Sequence, residues 1–93
     1  MNSPILQISV NLTNIQTLTY ELFQSEDVLN QTIYSLQITY NTENTLETDF
    51  LEDISRNKEQ ATDIAFLFAK ETVTPDTAHI IMEEMLSVWS FQK

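Results

Sequence analysis

The chain has 93 residues, with 14 acidic against four basic side chains, one histidine, no cysteine, no glycine and a formal charge of −10. Without cysteine there are no disulfides, thiolate nucleophiles or cysteine-held metal clusters; without glycine, phosphate-cradling loops, dinucleotide fingerprints and nucleophile elbows are ruled out. A charge of −10 is repelled by nucleic-acid phosphates and by anionic lipid, so any partner held by charge must be basic.

At this length the sequence predicts one domain, residues 1–93, burying about 60–65% of the surface its unfolded chain exposes. Apolar residues make up 42% of it, including five Phe, three Tyr and one Trp, which sets it apart from a disordered acidic tail. No run approaches the roughly 18 apolar residues of a membrane helix. The opening Met1-Asn2-Ser3-Pro4 carries no base, and Gln7, Ser9 and Asn11 interrupt the apolar stretch that follows, unlike a secretory signal. A soluble cytoplasmic protein is expected.

Residues 1–55 alternate with period two, the signature of strands. Leu6, Ile8, Val10 and Leu12 share one face of a first strand against Gln7, Ser9 and Asn11. Leu18, Tyr20 and Leu22 define a second strand, and Tyr34, Leu36, Ile38 and Tyr40 a third. In a weaker fourth, Leu46 to Ile54, Leu46, Phe50 and Ile54 are expected inward and Glu47, Asp49 and Asp53 outward. Tight turns are expected at Asn11 to Asn14 and at Asn41-Thr42-Glu43-Asn44, with a longer loop from Ser25 to Gln31, because Asn tolerates left-handed backbone and bonds nearby main chain. With no glycine, positive φ angles must fall to Asn or be avoided.

After Ser55 the period becomes about 3.6. Asn57 followed by Gln60 resembles a capping box, and Ala61, Ile64, Ala65, Phe68 and Thr72 form a stripe. Thr74-Pro75-Asp76 combines a hydroxyl cap, proline at the first helical position and an acid at the positive end of the dipole; Ala78, Ile81, Met82, Met85, Leu86 and Trp89 then form a buried face. The expected fold is α+β: an antiparallel sheet of three to four strands (1–55) with a two-helix hairpin (56–93) packed on one face and the other face wet, Thr-rich and acidic.

Little here could carry catalysis. His79 shares a helix face with Asp76 and Glu83, which could make a metal facet, but one histidine and two acids have no motif specificity and fit an exposed helical face. The adjacent acids Glu26-Asp27, Glu52-Asp53 and Glu83-Glu84 point apart on a strand or diverge on a helix, whereas paired-carboxylate chemistry needs convergence across a cleft. A non-enzymatic protein with no cofactor and no metal is expected.

The segment Asp53-Ile54-Ser55, then Pro75 followed by His79, Glu83, Glu84 and the pair Met85-Leu86, resembles a family of short uncharacterised proteins common in clostridia and related Firmicutes. Tyr20-Glu21-Leu22 and Tyr34-Ser35-Leu36-Gln37-Ile38 are similar to that family's N-terminal strands, so the likeness spans residues 18 to 86. The family often has Gly where this chain has Ser35, and its histidine tends to lie nearer the proline than His79 does. The resemblance implies a domain of unknown function in a low-GC bacterium or its phage, and lends no catalytic residues.

Charge then has the most functional leverage. Residues 1–55 hold eight acids (Glu21, Glu26, Asp27, Glu43, Glu47, Asp49, Glu52, Asp53) and no Lys or Arg, a charge of −8; residues 56–93 hold six acids and four bases, a charge of −2. Those eight acids are the expected binding residues for a basic, nucleic-acid-binding protein, with Glu21, Glu47, Asp49 and Asp53 forming a continuous outer wall that imitates DNA, as a phage-type anti-CRISPR or anti-restriction inhibitor would. The alternative is a bacterial housekeeping or regulatory domain that forms a homodimer through its second helix, with Trp89 and Phe91 in the contact.

Overall fold

The computed structural model describes the main chain of residues 3–91 and the side chains of residues 3–85. Four strands, β1 (Leu6–Thr13), β2 (Gln16–Glu26), β3 (Thr32–Asn41) and β4 (Leu46–Ser55), are followed by α1 (Lys58–Lys70) and α2 (Pro75–Phe91). The strands form one antiparallel meander in the order β1-β2-β3-β4. Both helices lie on the same face: α1 mainly over β1 and β2, α2 over β4 and β3. Each helix seats on the sheet, and among the described residues no α-carbon of α1 lies within 8 Å of one of α2. The fold is therefore the expected α+β arrangement.

The core is the helix-facing side of the sheet. Leu18, Tyr20 and Leu22 of β2 and Leu36 and Ile38 of β3 have no exposed surface, and Ala61, Ile64, Ala65, Phe68 and Ala69 of α1 close over them. Ala78 and Met82 carry α2 onto the same cluster, with Ile81 and Met85 partly buried beside it. Leu86, Trp89 and Phe91, assigned to the buried face or the contact surface of α2, have side chains outside the described residues. Tyr20 buries a ring and an OH together; the hydroxyl donates to the Val73 carbonyl at 2.7 Å, tying β2 to the link between the helices. Burial pushes the phenol up to about 12 from its ordinary 10.0.

Both helix starts follow the capping logic. Asn57 accepts from the Gln60 N–H at 3.0 Å. The return arm is relayed: the Ser55 hydroxyl donates to Gln60 Oε1 at 2.7 Å while its oxygen accepts the Asn57 N–H at 3.0 Å. Pro75 opens α2, with the Thr74 hydroxyl bonded to the Asp76 carboxylate.

Among the described residues three without glycine's freedom adopt positive φ: Asn30 at 61°, Asp53 at 55° and Thr72 at 49°. Only one is Asn, so the expectation for these positions is corrected. Thr72 also leaves the α1 stripe, where Ala69 takes its place. It is the left-handed residue of a Schellman end, in which the Val73 N–H bonds the Phe68 carbonyl at 3.0 Å and the Thr72 N–H bonds Ala69 at 3.2 Å. Hydrogen bonding at the helix end outweighs a β-branched side chain's aversion to that region.

The fourth strand also departs from expectation. Leu51 is buried opposite Leu36, which turns Asp49 (opposite Ile38) and Glu47 (opposite Tyr40) to the helix-facing side and Leu46, Thr48 and Phe50 to the open side. Ile54 is buried as expected, but only because β4 bulges before it. Between the pairs Leu36↔Leu51 and Tyr34↔Ser55, three β4 residues oppose the single residue Ser35. Asp53 holds the bulge with its left-handed backbone, its N–H donating to Ser35 Oγ at 3.1 Å.

Three outcomes are expected. Thr72→Gly raises stability in urea unfolding by about 1 kcal/mol, because relief of left-handed strain exceeds the added unfolded-state entropy; a loss would contradict this cap. Tyr20→Phe lowers stability by about 1–2 kcal/mol by leaving the Val73 carbonyl without its donor. A phenol raised in the folded state contributes stability that is complete below pH 10 and is lost as pH rises towards 12. Tyr20→Phe should therefore lose less stability than wild type across that window, and equal losses would contradict the assignment.

Candidate functional site

The open face of the sheet has two characters. Where β1 and the near halves of β2 and β3 meet, the outward residues are Gln7, Ser9, Asn11, Thr17, Thr19 and Thr39, a polar surface that matches the wet, Thr-rich expectation. Towards the β2–β3 connection the same phase carries Phe23, Ile33 and Phe50. Register brings these together, with Phe23 opposite Ser35, Ile33 opposite Ser25 and Phe50 opposite Gln37. The Phe23 and Phe50 rings sit 6.3 Å apart, tilted by 53°, a favourable aromatic pair. Ile33 is buried yet lies outside the main core cluster, and Phe50 is 45% exposed.

Beside this pair opens a concavity of about 440 Å³, with Val28, Ile33, Ser35 and Phe50 in its lining and the carboxylates of Glu26 and Glu52 at its margin. Glu21 stands on the same face in the register row Glu21, Gln37, Phe50. No strand contributes a Lys or Arg. Val28, at the tip of the connection, is 96% exposed.

The connection that carries Val28 is held by Asp27. Its carboxylate accepts the Leu29 N–H at 2.8 Å and the Gln31 N–H at 3.0 Å, while main-chain bonds join Asp27 to Gln31 and to Asn30. The Gln31 N–H, then that of Leu29 and the charge of Arg56, hold the Asp27 carboxyl below its ordinary 3.8. Arg56 lies 3.1 Å from Asp27 and 3.3 Å from Asp53, and also bonds Gln31, so it clips the connection to the β4 bulge.

Glu21, Glu47, Asp49 and Asp53 therefore do not form one outer wall, and that expectation is corrected. Glu21 and Glu52 belong to the open face, Glu26 and Asp27 to the β2–β3 end, and Glu43 to the β3–β4 turn. Glu47 and Asp49 point to the helix side, and Asp53 is taken up by the bulge and Arg56. The cause is the Leu51 phase of β4, which moves two of the four proposed wall residues through the sheet.

The acid–base candidates do not converge. His79 Nδ1 lies 2.6 Å from Asp49 Oδ2, a solvent-shielded oxygen that accepts no hydrogen bond among the described residues, so protonation of His79 would pair α2 with β4. Asp76 is engaged by Thr74, and Glu83 is exposed. Among the described residues no group of three or more His, Asp or Glu side chains is placed to hold a metal ion. Trp89 and Phe91, the expected self-association residues, lie outside the described side chains. The aromatic patch was the feature that strand reading missed. Its signal was present, since Phe23, Ile33 and Phe50 are apolar residues on a phase that is mostly polar.

No helix among the described residues is long and apolar enough to cross a membrane. No curated protein and no solved structure matches the chain. Residues 2–88 match the family of unknown function DUF6514, which agrees with the resemblance to uncharacterised short proteins, and the chain belongs to that family.

Proposed function

We infer that this is a small non-enzymatic interaction module that docks a basic protein surface with the β2–β3 end of its open sheet face. The observation that carries the reading is the uncovered Phe23–Phe50 pair beside a concavity margined by Glu26 and Glu52, on strands without a single base. An aromatic centre with a charged rim is the anatomy of a docking site: the apolar area supplies affinity, and the rim selects the sign of the partner's charge. An arginine suits it best, because its guanidinium can stack on the Phe50 face while pairing with a neighbouring carboxylate.

The partner class that fits is a nucleic-acid-binding protein in the cytoplasm of a low-GC bacterium. The module would occupy that protein's basic surface, as phage-type anti-CRISPR or anti-restriction inhibitors do. With the acids spread over several surfaces, a compact aromatic and acidic patch is the better basis for this than a long phosphate-like row.

The test is an NMR titration of the isotope-labelled chain with an arginine-rich peptide. Amide shifts should concentrate at Phe23, Ile33, Phe50 and Glu52, and added salt should reverse them steeply. Phe50→Ser and Glu52→Gln should each weaken binding about tenfold. Perturbations spread evenly over all acidic positions, or centred on the helices, would overturn the reading.

A further inference from the structure

An antiparallel meander leaves two free edges, and here they differ sharply. The β4 edge carries Glu47, Asp49, Glu52 and Asp53, and it is broken by the bulge at left-handed Asp53. Inserted charge and a bulge are the devices by which proteins stop another strand from adding to a sheet. The β1 edge has neither within its main run. From Leu6 to Thr13 there is no charged residue and no proline, and its register with β2 runs unbroken from Leu6↔Leu22 to Asn11↔Thr17. No Asp, Glu, Lys or Arg occurs before Glu21, in a chain whose charge is −10.

Side-chain burial points the same way. Leu6, Ile8 and Val10 face the helix side and pack against the core, yet each is only partly covered, and Ile5 and Leu12 beside them are exposed. A regular, uncharged edge flanked by half-covered aliphatic side chains is open to a further strand. Charge identifies that neighbour. Two chains of −10 repel over most of their surfaces, and the uncharged β1 edge lets them meet without opposing carboxylates.

We propose that β1 pairs antiparallel with β1 of a second copy, making one continuous eight-stranded sheet with all four helices on one side. Antiparallel self-pairing satisfies two-fold symmetry. It brings Leu6, Ile8 and Val10 of both copies together under the flanking helices. The two acidic β4 edges are carried to opposite ends, seven strand spacings or about 34 Å apart, well beyond the screening length of about 8–10 Å. Both open faces then lie on the same side of the dimer, available for docking.

Sedimentation equilibrium of the full chain over a wide concentration range tests this. Wild type should show a monomer–dimer equilibrium. The double variant Ser9→Glu/Asn11→Asp, which alters only exposed side chains on β1, should weaken the dimer at least about tenfold by setting like charges across the seam. An equimolar mixture with Ser9→Lys/Asn11→Lys should restore a heterodimer, and circular dichroism should confirm that both variants stay folded. A wild type that is monomeric throughout would overturn the proposal. So would a dimer indifferent to the acidic pair, which would locate the contact on another surface such as α2, or a mixture that fails to pair.

Discussion

The hydrogen bond from the Asp53 N–H to Ser35 Oγ is small, yet it holds the bulge that links the fourth strand to the first helix. It stabilises a bulge that absorbs two extra residues between Leu51 and Ser55. N-terminal to the bulge, Leu51 faces the core, so Phe50 faces out beside Phe23 and Asp49 faces in to meet His79. Beyond it, Ile54 and Ser55 are both buried, and Ser55 completes the cap of α1 through Gln60 and Asn57. The burial of Ile54 and the start of α1 are thus set by this local distortion, whereas Phe50 and Asp49 take their sides from the pairing of Leu51 with Leu36.

Electrostatics shows why net charge is a poor guide to a surface. Residues 1–55 carry −8 without a base, but a sheet has two faces and a bulge can reassign residues between them. Asp27 and Asp53 share Arg56, and Asp49 lies beside His79. The acids left free near the aromatic pair are few and local, and their consequence is selectivity for a cationic partner at one end of the sheet. Charge is withheld from β1, and that absence has its own consequence: it leaves one edge where main-chain pairing is unopposed.

Much of the fold is legible in the sequence because the first three strands and both helices obey a single period. From Leu18 to Leu22 and from Tyr34 to Tyr40 every second residue is apolar, which turns that phase to the core. Asn57 and Thr74-Pro75 mark helix starts through the needs of unpaired N–H groups, which are local chemistry. β4 resisted because Leu46 and Phe50 lie on one phase and Leu51 on the other. Only the cross-strand partner Leu36 decides between them, and that is tertiary information. The left-handed sites at Asp53 and Thr72 resisted for a similar reason: bulge and helix-end hydrogen bonds select them against residue preference. The candidate site was missed because its three apolar residues are distant in sequence and become neighbours only through strand register.

The account rests on Phe50 lying on the open side of the sheet. A nuclear Overhauser spectrum of the full chain, with the aromatic rings assigned, measures this directly. Cross-peaks between the rings of Phe23 and Phe50, with none from Phe50 to Ile64 or Met82, are the result required. Cross-peaks from Phe50 to those helix side chains would put the ring in the core, reverse the phase of β4 and remove the docking patch.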